Sequence, residues 1–140
     1  MTIKEKQQEL INEFKEIEDW DDRYAKIIKM GKELPDFNEE YRIEKNKIEG
    51  CQSQVWIHAE IKEGKVSFEA DSDAMIVKGL IAMILKVYSN HKPEEILNSP
   101  PDFINEIGID KHLSLTRKNG LGAMLKQIQM FALAYKALAK

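Results

Sequence analysis

Between Gln54 and Ala70 the chain alternates in character. Val55, Ile57, Ala59 and Ile61 interleave with Gln54, Trp56, His58 and Glu60, and Val66, Phe68 and Ala70 resume the pattern after Glu63-Gly64-Lys65. A period of two broken by a glycine-bearing turn predicts a β-hairpin over about 54–70. Such a hairpin is marginal alone in water, so the rest of the chain must cover it. The cover follows at once: Met75, Val77, Leu80, Ile81, Ile84, Leu85 and Tyr88 place apolar groups around most of a helical circumference. That pattern predicts the central, most buried helix, capped by Asp71 or Ser72. The fold class is therefore α+β, a small antiparallel sheet covered by helices in a single domain over 1–140, with residues 42–48 available as a third strand.

The flanking segments read as helices. Thr2 with Glu5 forms a capping box ahead of Ile3, Leu10, Ile11, Phe14 and Ile17, predicting a helix over 2–18. Asp19 caps a second helix carrying Trp20, Tyr24, Ile27 and Ile28, expected to end near Gly31 ahead of Pro35. Residues 36–49 are charged and aperiodic, an extended connection into Gly50 and Cys51. Pro93–Leu97 is a short helix, Pro100-Pro101 opens another that stops at Gly108, and Ser114 or Thr116 begins the last. Its apolar face holds Met124, Leu125, Ile128, Phe131, Ala132 and Tyr135, and Met75, Met83, Met124 and Met130 read as packing residues.

Composition excludes several functions. With 43% hydrophobic and 32% charged residues among 140, the chain is a soluble globular domain rather than a disordered one. A net charge of −3 supplies no basic field, so nucleic acid is not an expected partner. The start of the chain, with Lys4, Glu5, Lys6 and Glu9, carries no apolar run, and Lys78 and Lys86 interrupt the most apolar helix. Neither a secretory signal nor a membrane segment is expected, and the expected location is cytoplasmic. His58, His91 and His112 match no metal-ligand spacing, and no phosphate-binding glycine loop or serine nucleophile elbow is present. One cysteine rules out an internal disulfide, a multi-cysteine zinc site and an iron–sulfur cluster held by this chain's cysteines alone.

That cysteine, Cys51, lies in Gly50-Cys51-Gln52-Ser53-Gln54 at the mouth of the hairpin. Two readings stand side by side. A free cysteine usually behaves as a small buried hydrophobe. One in a polar loop beside glycine can instead be presented to another molecule, where its thiolate attacks sulfur. A cysteine–histidine hydrolase or a thiol oxidoreductase acting on a small substrate is the competing chemistry, and the hydrolase needs His91 or His112 brought close in space.

Asn46-x-Ile48-x-Gly50-Cys51-Gln52-Ser53-Gln54-Val55-Trp56 and Asp71-Ser72-Asp73-Ala74-x-Ile76-Val77-Lys78-Gly79-Leu80-Ile81-Ala82 closely resemble the SufE family of sulfur acceptors. Trp20, Arg23-Tyr24, Gly31-x-x-Leu34-Pro35, His112-Leu113 and Arg117-x-x-Gly120-Leu121-x-x-Met124 extend the likeness over most of the chain. Leu115 departs from it, since relatives often carry proline there. The resemblance implies a SufE/IscU-like fold. It also implies a carrier that takes sulfane sulfur from a pyridoxal-phosphate (PLP) cysteine desulfurase, holds it as a persulfide and stimulates that desulfurase. The sulfur would pass to an iron–sulfur scaffold resembling SufBCD. Cys51 matches the accepting cysteine, Gly50, Gln52, Ser53 and Gln54 its loop, and Asp73 and Arg117 lie near helix amino termini as polar support. No cofactor or metal is expected on this chain, PLP belongs to the partner, and the expected state is monomer or homodimer.

Overall fold

The computed structural model describes residues 1–138. Its elements run α1 (Ile3–Lys15), α2 (Trp20–Lys32), β1 (Val55–Lys62), β2 (Lys65–Ser72), α3 (Met75–Tyr88), α4 (Pro93–Leu97), α5 (Asp102–Ile107) and α6 (Leu115–Leu138). The order is α+β, as the alternating pattern requires. The capping box forms, with Thr2 Oγ1 accepting from the Glu5 N–H at 3.1 Å and Glu5 accepting from the Thr2 N–H at 2.9 Å. Helix α1 stops three residues short of the sequence expectation. Ile17 already donates its N–H to the Phe14 carbonyl, and Asp19 caps α2 by accepting from the Asp21 N–H.

β1 and β2 pair antiparallel from Val55 with Ser72 to Lys62 with Lys65. The turn places Glu63 at φ 53° and Gly64 at φ 79°, the primed geometry that matches strand twist. Among the described residues the sheet has these two strands, so the third strand expected over 42–48 is corrected. Its place is taken by a strap containing two short 3-10 turns, Glu39–Tyr41 and Glu44–Asn46, and only Lys47 makes a strand-like bridge, to Trp56. Side chains explain the substitution. The Arg42 guanidinium lies 4.7 Å from the Trp56 ring, 5.3 Å from the Phe37 ring, and 2.8 Å from Asp71, while Tyr41 stacks on His58 at 3.5 Å. The strap thus covers the outer face of the hairpin with side chains instead of a backbone ladder, which is why Trp56 is buried although its alternation points it outward. Burial pushes the Asp71 carboxyl up, but Arg42, the Ser72 N–H and Lys78 outweigh that and hold it below its ordinary value.

α3 runs through the centre and is buried on nearly every side, with Leu80, Ile81, Met83, Ile84 and Val87 inaccessible. It crosses α2 so closely that a Cβ on Gly31 would lie 2.7 Å from the Gly79 nitrogen. Gly31 therefore sits inside α2 for contact, and the C-cap is Glu33 rather than Gly31. Neither Asp71 nor Ser72 is the N-cap of α3. Ala74 holds that position without a side-chain cap bond. Of the four methionines assigned to packing, Met83 and Met124 are buried, whereas Met75 is 58% and Met130 52% exposed. They fall at the first turn of α3 and on a flank of α6 that nothing covers among the described residues.

His91 is buried with its Nε2 unpartnered, and burial followed by the charge of Lys6 depresses its pKa below 6.5. Lys65 and the amino terminus act in the same direction and Glu95 opposes them. The unfolded chain takes up this proton first, so its contribution is full above about pH 6.5 and declines as pH falls below that value. His91→Leu is expected to flatten the fall in thermal midpoint between pH 7 and pH 5. A parallel pair of stability curves would remove His91 from the cause.

Candidate functional site

Cys51 sits on a loop with its limbs pinned at both ends. On the incoming side the Ile48 N–H donates to the Val55 carbonyl at 2.9 Å. On the outgoing side the Gln54 N–H donates to Asp73 Oδ1 at 3.0 Å, and the Asp73 N–H returns to the Gln54 carbonyl at 3.3 Å. Asp73 thus neither caps α3 nor pairs with a base: it latches the loop to the start of the central helix. Gly50 turns the chain at φ 89°, a conformation that side chains rarely adopt. A Cβ there would also meet the Ala123 methyl at 3.5 Å.

The loop rests on the first turns of α6. The Cys51 thiol lies 3.6 Å from the Gly120 carbonyl, within reach as a weak donor. It is half-buried, and that burial pushes its pKa up. Beside it opens a cleft of about 420 Å³ lined by Gln52 and Ser53 from the loop, Val77 from α3, and Ser114, Thr116 and Arg117 from the start of α6. Gly120 and Met124 complete the wall. Ser114 Oγ accepts from the Arg117 N–H, so the last helix begins at the first of the two caps read from sequence. Arg117 is exposed and, among the described residues, makes no ion pair.

Cys51, Gln52, Ser53 and Arg117 therefore meet in one cleft, while Gly50 and Gln54 set the loop's turn and its outgoing pin, and Asp73 acts from outside through Gln54. Sequence reasoning gave no role to Ser114, Thr116, Val77 or Gly120. Only Gly120, a glycine inside a helical pattern, carried a signal that could have found it.

None of the three histidines lines the cleft. His58 stacks on Tyr41 and bonds Glu60 at 3.2 Å, His91 is buried beside β2, and His112 stacks on Trp20 at 3.7 Å with Nδ1 on the Gly108 carbonyl. Tyr24 donates its hydroxyl to the His112 carbonyl, fixing the approach to α6. A cysteine–histidine pair is not assembled. Among the described residues no group of three or more His, Cys, Asp or Glu side chains could hold a metal ion, and no helix is long and apolar enough to cross a membrane.

A shielded thiol on a pinned loop should react slowly. Asp73→Ala removes an acceptor from the Gln54 N–H while leaving the core untouched, so alkylation of Cys51 by iodoacetamide is expected to accelerate about fivefold. A rate equal to the parent's would show that Asp73 does not hold the loop.

Comparison with known proteins follows the same residues. The chain is 39% identical over 126 residues to an uncharacterised SufE-like protein of Rhizobium meliloti, covering 86% of this chain and 90% of that one. It is 37% identical over 127 residues to one from Synechocystis sp., covering 91% and 80%. The solution structure of a hypothetical protein from Thermus thermophilus superposes with a TM-score of 0.78 at 23% identity, over 96% of this chain and 97% of that one, and so has the same fold. Residues 8–132 match the family model described as SufE, Fe-S metabolism associated domain, and with most of its length matched the chain belongs to the SufE family.

Proposed function

We propose that this protein is a sulfur carrier in iron–sulfur metabolism, with Cys51 as its persulfide-forming nucleophile. The Cys51 thiolate attacks the terminal sulfur of a persulfide on a PLP-dependent cysteine desulfurase. A new S–S bond forms at Cys51 Sγ, the donor's S–S bond breaks, and the donor thiolate leaves with the electron pair. Removal of sulfur from the desulfurase frees it for another turn, so the carrier stimulates the desulfurase without being an enzyme in its own right. A second transfer of the same kind delivers sulfur to an iron–sulfur scaffold resembling SufBCD. Neither step needs a metal or a cofactor on this chain.

The observation that carries this reading is the chain's one thiol, half-buried in a cleft without a histidine, on a loop pinned at both ends. A hydrolase needs a base beside the nucleophile. A carrier needs a thiol that stays shielded until a partner draws its loop out, because a persulfide is easily oxidised or reduced. Arg117 supplies a fixed positive charge at the rim, suited to an anionic persulfide or to a carboxylate of the desulfurase. Arg117→Ala is expected to weaken the half-saturating desulfurase concentration about fivefold. An unchanged titration and an unchanged pH profile of Cys51 alkylation would take Arg117 out of the site.

The direct test is intact-mass measurement after mixing the protein with a cysteine desulfurase, PLP and cysteine. Gain of one sulfur atom, located on the peptide containing Cys51, is the expected result. No gain, together with unstimulated desulfurase turnover, would overturn the proposal.

A further inference from the structure

We infer that Gly120 is a positioning residue for the sulfane sulfur: the missing side chain at this point of α6 leaves the seat that the second sulfur of a Cys51 persulfide occupies. The inference rests on the sulfur-carrier reading above. Glycine inside a helix is unfavourable relative to alanine, so its presence asks for a packing reason. At Gly31 and Gly79 the reason is immediate, since a Cβ at either would strike backbone of the facing helix. Gly120 differs. It is buried, yet the nearest atom to an added Cβ is Cys51 Sγ at 3.5 Å, with the Cys51 Cα and Cβ at 4.0 Å. Those are ordinary van der Waals separations, so the unmodified thiol does not need glycine opposite it.

A sulfur added to Cys51 does need it. The S–S bond is about 2 Å long, so a second sulfur turned along that contact lands where an alanine methyl would be. The thiol already faces this way, with Sγ 3.6 Å from the Gly120 carbonyl. Gly120 and Cys51 both line the cleft, so a sulfur seated there is covered by α6 on one side and flanked by Ser53 and Thr116. Gly122, two residues on, provides an internal comparison: it is exposed, and nothing lies within 4 Å of an added Cβ.

The experiment compares the parent with Gly120→Ala and Gly122→Ala. Each is loaded with inorganic polysulfide, which bypasses the desulfurase: the Cys51 thiolate takes one sulfane sulfur and a shortened polysulfide leaves with the electron pair. Three quantities are read: thermal midpoint, iodoacetamide alkylation of the unloaded thiol, and the rate at which dithiothreitol strips sulfur from the loaded protein. Both variants are expected to gain about 2–4 °C in midpoint from helix propensity and to alkylate within twofold of the parent. Only Gly120→Ala is expected to lose its persulfide faster, by about tenfold, or to fail to load.

Stripping at the parental rate in Gly120→Ala overturns the seat. So does equal acceleration in both variants, which would trace the effect to the helix. A Gly120→Ala protein that does not fold also overturns it, because the thiol alone would then need the space. A parent that takes up no sulfur from either polysulfide or a desulfurase refutes the carrier reading itself, an outcome separate from all of these.

Discussion

Cys51→Ser is expected to abolish sulfur uptake outright while moving the thermal midpoint by no more than about 3 °C. The asymmetry follows from the site. Serine is nearly isosteric with cysteine, and its hydroxyl can donate to the Gly120 carbonyl that the thiol already faces at 3.6 Å. The loop's fixed points are backbone and Asp73 bonds at Ile48, Val55 and Gln54, none of which involves the sulfur. Chemistry is another matter. A serine hydroxyl does not ionise at neutral pH, and oxygen cannot exchange with a disulfide-type bond as a thiolate does. Because burial holds the Cys51 pKa above its ordinary value, uptake by the free parent protein should rise with pH through and beyond the usual thiol range. Intact mass, desulfurase stimulation and a melting curve together check the claim. Stimulation retained by the serine protein would deny Cys51 the role of nucleophile, and a collapsed melting transition would mean that the thiol is there to fill space.

Much of this was legible from one sequence because short-range patterns carried it. Alternation fixed the hairpin, the all-round apolar helix found its central place, and Thr2, Asp19 and Ser114 each capped the helix that follows. The lone thiol in a polar loop drew attention to Cys51 before any geometry existed. What could not be read was contact across distance. Asp73 lies at the foot of α3, where local rules assign a cap, and its real partner is a backbone N–H nineteen residues earlier. Residues 42–48 resemble a third strand until the Arg42 side chain is seen to lie against Trp56 and Asp71, which no periodicity encodes. Met75 and Met130 fit an apolar helical pattern, but a pattern cannot say that the facing surface is empty. Gly31 was misread for the same reason: glycine near a predicted helix end suggests a C-cap, and only the neighbouring helix shows that it permits a crossing.

That crossing gives the largest expected stability effect. Gly79→Ala should destabilise the protein by about 2–4 kcal/mol, lowering the midpoint by about 10 °C, although alanine is the better helix former by about 1 kcal/mol. A Cβ at position 79 would overlap the Ile27 carbonyl oxygen and come within 2.6 Å of Ile27 Cγ2. The first obstacle is helix backbone, which cannot turn aside as a flexible side chain does, so α2 and α3 must part. Parting them loosens the cover over Ile27, Leu80 and Met83, all of which are fully buried. Two comparisons locate the cause. Gly31→Ala, facing the Gly79 nitrogen at 2.7 Å, should lose stability in the same sense, whereas Gly122→Ala on the exposed face of α6 should gain it. Denaturant titration of the three variants checks the order. A Gly79→Ala protein as stable as Gly122→Ala would mean that the two helices have room to spare, and the close approach of α2 to α3 would no longer explain why a glycine interrupts the most apolar helix of the chain.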